Sequence, residues 1–94
     1  LGVVPQGRID NQGEIRVLRY WINNALNNVF ITQQGENELF GGIQKITGIT
    51  STYFWDLRTE GNGRKVMELD QYSLDSLNLA TNELYTNGNT FFFF

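Results

Sequence analysis

The pattern of apolar and polar positions is most regular in NQGEIRVLRYWINNALNNVF. At the ~100° per residue of a helix, Leu18, Trp21, Ile22, Ala25, Leu26 and Val29 join Ile15 on one arc of roughly 140°. Arg16, Tyr20, Asn23, Asn24 and Asn27 fall on the other side. Asn11, with Glu14 three residues on, has the form of a capping box. The pattern predicts a helix over Gln12 to Asn28 with one face built for burial. Asparagine is a poor helix former, about 0.5 kcal/mol or more worse than alanine at each interior site. Packing must therefore hold this helix, and its amide face is offered to water or, through hydrogen bonds, to another subunit.

Downstream, QQGENE reads as a turn, and from Leu39 the chain carries the β-branched and aromatic enrichment of strands, broken by Gly41, Gly42 and Gly48. STYFWDLRTEGNGRKVMELDQY predicts a hairpin with Gly61, Asn62 and Gly63 as its loop. In that register Trp55 faces Leu69 and Leu57 faces Met67, and the apolar face is where the helix would lie. A short second helix is expected from a Ser73 cap, with Leu74, Leu77, Ala80, Leu84 and Tyr85 on one arc. Asn87-Gly88 marks a turn, and Phe91, Phe92, Phe93 and Phe94 read as a closing strand. Val3, Val4 and Pro5 suit a short edge strand or extended arm. The expected fold is α+β: one amphipathic N-terminal helix on a small antiparallel sheet, a candidate second short helix and a C-terminal strand. Residues 1–94 are expected to form a single domain with apolar terminal arms, and no internal repeat at a solenoid period stands out.

Composition changes this picture in two ways. Charged residues make up 18%, below the usual quarter, and eleven Asn and six Gln stand against two Lys. The polar surface is therefore expected to be amide rather than ionic. Net charge is -3 and the few basic residues are scattered, which argues against a nucleic-acid partner. No apolar run reaches the roughly 20 residues of a membrane span, and no signal-peptide pattern heads the chain. Leu1 in place of an initiator Met suits a processed chain or a fragment.

Histidine and cysteine are both absent. That removes the commonest general base and metal ligand, and every Ser-His or Cys-His nucleophile pair. No P-loop or dinucleotide fingerprint is present. In the expected hairpin Asp56 and Glu68 stand opposite each other with Asp70 and Arg58 near, the residue types of a carboxylate acid-base pair or a Ca²⁺ site. On a flat, wet sheet face they are an ordinary solvated pair, so no catalytic residue, metal ligand or cofactor is assigned. Tyr20, Trp21, Tyr53 and Trp55, with the abundant amides, are the types a glycan-binding surface uses.

The four terminal phenylalanines carry most weight. Alternate strand residues point to opposite faces, so two would face the core and two would need a second apolar surface. At about 25 cal/mol per Å², leaving those two rings in water forfeits some 3 to 6 kcal/mol. The expectation is a non-enzymatic structural or assembly subunit, of the virion (phage-type) or surface-filament kind, found in a virion or on an extracellular surface. It would bind other protein subunits, like or unlike, through Phe91, Phe92, Phe93, Phe94, Tyr20, Asn23, Asn24 and Asn27. The alternative is a carbohydrate-binding or adhesin-type domain.

Overall fold

The computed structural model describes residues 2–3, 9–25, 30–31, 34–80 and 83–93. Among these the chain forms strands and no helix. The first two turns of chain hold β1 (Gly2–Val3), β2 (Ile9–Asp10), β3 (Glu14–Val17), β4 (Trp21–Asn23), β5 (Phe30–Ile31) and β6 (Glu36–Leu39). The remainder holds β7 (Gln44–Gly48), β8 (Tyr53–Thr59), β9 (Lys65–Met67), β10 (Gln71–Asn78), β11 (Leu84–Tyr85) and β12 (Phe91–Phe93). Strands β1, β4, β7, β9 and β11 lie side by side in one sheet, and β3, β6, β8, β10 and β12 in a second; β2 and β5 pair separately. Every pairing is parallel.

The chain thus winds from one sheet to the other and back, each circuit resting on the last, in a β-solenoid-like arrangement. Glu14, Glu36, Asp56 and Ser76 sit one above another at intervals of 22, 20 and 20 residues. Parallel neighbours need a long crossover, and here each crossover passes through the opposite sheet. A single circuit cannot bury its own apolar face, so stacking supplies the core. Inward positions form columns: Trp21, Ile46 and Met67 in the first sheet, and Val17, Leu39 and Thr59 in the second. Phe54 lies between the sheets with its ring 5.0 Å from that of Trp21.

The interior also takes the amides expected outside. Asn37 is buried in the column of Ile15, Leu57 and Leu77. Its Oδ1 accepts from Asn11 at 3.3 Å and its Nδ2 donates to the Asp56 carbonyl at 3.2 Å. Buried Gln44 donates to the carbonyls of Val17 and Arg19 and accepts from the Gly41 N–H, holding a corner between the sheets. Lys65, fully buried, donates to the carbonyls of Gly41 and Gly42 at 2.9 and 2.8 Å, and burial pushes its ammonium pKa down. Gln44 and Lys65 thus satisfy backbone groups at the corners, and Asn37 ties Asn11 to the Asp56 carbonyl of β8.

The α+β expectation is overturned. The region expected as a helix holds β3, a corner at Leu18 to Tyr20, and β4, with Val17 and Trp21 buried. Inward residues separated by a three-residue corner mimic a helical arc, while β-branched Ile15, Val17 and Ile22 and the asparagines disfavour a real one. The antiparallel hairpin is also absent. Tyr53–Thr59 pairs with β6 and β10, and Lys65–Met67 with β7 and β11, so Gly61 to Gly63 turn a corner between sheets. Instead of a second helix, β10 and β11 are extended. The absence of a solenoid repeat is corrected with it: the repeat is one of position and not of residue identity.

Among the described residues, one buried side-chain group lacks a partner. The Thr59 hydroxyl is fully buried and makes no hydrogen bond. Thr59→Val keeps the shape and removes that desolvated hydroxyl. The variant is expected to gain about 1 kcal/mol in urea denaturation.

Candidate functional site

The outer face of the second sheet carries three columns that the stacking brings together. Tyr53, Tyr72 and Phe92 form the first, with ring centroids 4.1 and 4.7 Å apart and planes 5° and 11° from parallel. These distances are close to the spacing of strands, so each ring rests flat on the one below. The Tyr72 hydroxyl is pushed up in pKa first by its hydrogen bond with Tyr53.

Glu14, Glu36, Asp56 and Ser76 form the second column, and Arg16, Glu38, Arg58 and Asn78 the third. Arg16 Nε lies 3.5 Å from both Glu14 and Glu38, and its guanidinium stacks 4.3 Å from the centre of the Phe40 ring. Carboxylate oxygens of Glu14, Glu36 and Glu38 come within 4.8 Å of one another. Arg16 meets much of that charge with a cation of the chain's own. Lower on the face, Ser76 Oγ donates to Asp56 at 2.5 Å. Asp75 is raised in pKa, first by its hydrogen bond with Asp56. Glu36, Asp56, Leu57, Arg58, Ser76 and Asn78 line a shallow cavity of about 110 Å³. It is small beside the roughly 300 Å³ or more of ordinary ligand pockets. Ser76 ends a bulge in β10 that begins at Ser73, and Ser73 Oγ secures it by donating to the Ser76 carbonyl at 2.6 Å, with the Trp55 carbonyl 3.1 Å away.

At the end of the stack, Phe91 faces inward and is half-buried against the core with Leu77 and Leu84, while Phe92 and Phe93 are exposed. Ile9 and Ile15 are half-buried in the same way at the opposite end.

The described members of the sequence-predicted set do not form one surface. Tyr20 is exposed at the corner before β4, beneath Lys45 at 5.7 Å, and Asn24 is exposed. Asn23 is buried, its amide donating to Thr52 Oγ1 at 3.1 Å and accepting from the Ala25 N–H. Asn27 and Phe94 lie outside the described residues. Asp56 and Glu68 are separated: Asp56 is in the second sheet, whereas Glu68 follows β9 in the first and pairs with Lys45 at 3.4 Å. Glu68 is lowered in pKa first by a hydrogen bond from Thr47 and then by Lys45. Asp70 accepts from the Thr90 N–H at 2.8 Å. Trp21 is buried, and Tyr53 gives a ring face to Tyr72.

Sequence reasoning missed the Tyr53–Tyr72–Phe92 column and the alternating Arg16–Glu38–Arg58 column. The signal was the recurrence of EIRV, ENEL, DLRT and SLNL at intervals near 20 residues.

The geometry defines a class, a parallel β-solenoid-like stack with an amide-braced interior, charge and aromatic columns outside, and apolar residues half-covered at both ends. No family model, curated protein or solved structure matches the chain. Among the described residues no helix is long and apolar enough to cross a membrane.

Proposed function

We propose that the chain is a non-enzymatic structural subunit of a larger protein assembly, of the virion or surface-filament kind, which joins its neighbour by stacking coil on coil at the β11–β12 end. The observation that carries this reading is the aromatic column, which ends on exposed Phe92 beside half-covered Leu77, Leu84 and Phe91. A parallel strand laid on β12 would continue the ladder and cover these groups at once. The occupant is a second copy of the chain presenting its opposite end, where Ile9 and Ile15 are the half-covered apolar partners. Such a contact is head-to-tail and does not close on itself, so repetition gives a filament. A glycan-binding role finds less support in this geometry, because the stacked rings occupy one another's faces.

Light scattering after gel filtration, over two decades of protein concentration, tests the reading. The wild-type mass is expected to rise with concentration. Phe92→Lys with Phe93→Lys changes two exposed positions and is expected to weaken association at least tenfold, about 1.4 kcal/mol. A wild-type protein that stays a single chain throughout would refute it.

A further inference from the structure

We propose that Glu38 and Glu60 share one proton between successive coils, forming a clamp on the outer face of the second sheet that holds in mildly acidic solution and loosens as the pH rises. Glu38 lies in β6, directly between Arg16 of β3 and Arg58 of β8 in the register of the sheet. Glu60 follows β8, and its N–H donates to the Leu39 carbonyl at 2.7 Å, which seats it beside the end of β6.

The charged groups facing Glu38 are Glu14 and Arg16 from β3, Glu36 from its own strand, and Arg58 and Glu60 from the coil below. Four carboxylates, Glu38 among them, therefore share two guanidiniums. Arg58 is engaged with Glu60 at 3.2 Å, and Arg16 divides itself between Glu14 and Glu38 at 3.5 Å. Negative charge is left over, and a proton on one carboxyl relieves it. Glu38 is the group to take it, because its side chain is only 7% exposed whereas those of Glu14 and Glu60 are 51% and 33% exposed. Ionisation is most costly where water is excluded. The protonated Glu38 then donates to the Glu60 carboxylate, bonding two coils that would otherwise repel at this point.

The pKa directions agree with this placement. The hydrogen bond with Glu60, then burial, pushes Glu38 up from 4.5 to about 7, and the same hydrogen bond holds Glu60 below its ordinary value. The two titrate as a pair, the first proton binding near neutrality and the second in acid. Between pH 4.5 and about 7 the folded protein keeps a proton that the unfolded chain has released. Stability from this pair is therefore full at the acid side of that window, falls as pH rises and levels off above about 7. The lowered Glu60 acts in the opposite sense, but at pH below its ordinary value and so outside this window.

Side-chain carboxyl carbons of the wild-type protein can be followed by NMR from about pH 4 to 9. The Glu38 carbon is expected to titrate with a midpoint near 7, as against about 4.5 for an ordinary glutamate. In parallel, the wild-type Tm is expected to decline through that window, and Glu38→Gln, which keeps the hydrogen-bonding shape without a titrating proton, to remove most of that decline. The contribution of Asp75 persists in both proteins and serves as the internal reference. A Glu38 carbon titrating below pH 5 overturns the proposal, as does an undiminished Tm slope in Glu38→Gln. The carbon titration decides by itself if the variant does not fold.

Discussion

Gly61→Ala is expected to destabilise the protein by about 3 kcal/mol or more in urea denaturation, enough to unfold a large share of a marginally stable domain. Gly61 has φ of 91°, a backbone conformation that costs an L-residue about 1 kcal/mol or more. Sterics add to this. A Cβ there would lie 2.0 Å from the Gly41 carbonyl oxygen and 2.5 Å from that of Phe40. Both obstacles are backbone, belonging to the corner of the coil above, so no rotamer change clears them. The two corners would have to separate, and the Glu60 N–H to Leu39 carbonyl bond beside them would lengthen or break. Gly42 is the control. A Cβ there meets nothing within 4 Å, and Gly42→Ala is expected to change stability by less than about 0.5 kcal/mol. Equal effects at the two positions would contradict the corner-on-corner packing described above.

Trp21→Ala is expected to cost about 3 to 5 kcal/mol by the same measurement. Trp21 is 1% exposed, the largest of the fully buried side chains, and its ring tilts 58° against Phe54. Its loss removes a wall of the core between the two sheets. It also removes a hydrogen bond, because the indole N–H donates to Thr52 Oγ1 at 2.9 Å. Thr52 is itself buried, and its N–H is taken by Gln71 Oε1 at 2.8 Å, so the disturbance passes from β4 through the turn before β8 to β10. Trp55, only half-buried, provides the comparison, and Trp55→Ala should cost clearly less. If the two tryptophans proved equivalent, the placement of Trp21 between the sheets would be wrong.

How much of this could be read beforehand depends on what the sequence pattern reports. Alternation over Tyr53 to Thr59 pointed to an extended strand there, and that segment is β8. Period-two alternation says which residues share a face, but it does not say which strand lies alongside. The glycines of EGNGR suit a hairpin loop and a solenoid corner equally well, and only the long-range ladder decides between them. The helix expected over Gln12 to Asn28 failed for a related reason. Asn23 was placed on a wet face because amides are usually exposed, whereas here it is 2% exposed and bonded to Thr52. A stack of parallel coils needs side chains that can tie off backbone groups at each corner, and amides do so with a donor and an acceptor together. The repeat was obscured because its length varies, from 19 residues between Lys65 and Leu84 to 25 between Ile22 and Thr47. Its columns also mix residue types, as Ile15, Asn37, Leu57 and Leu77 do. Of the candidate site, the sequence pointed to the phenylalanine strand as a whole, without saying that the consecutive Phe92 and Phe93 are its exposed members, and the carboxyl pair Glu38–Glu60 was not legible, since those residues meet only when successive coils are superposed.

In each ladder a strand bonds only to the strand directly before it and the one directly after. Damage therefore has a direction. Shedding an outermost turn would break one rung of each sheet and bare another rung of the same kind, while the middle turns keep both of their neighbours. A molecule made in this way wears from its tips inward, as a coiled rope unwinds, and its midsection around β8 is the last part to let go.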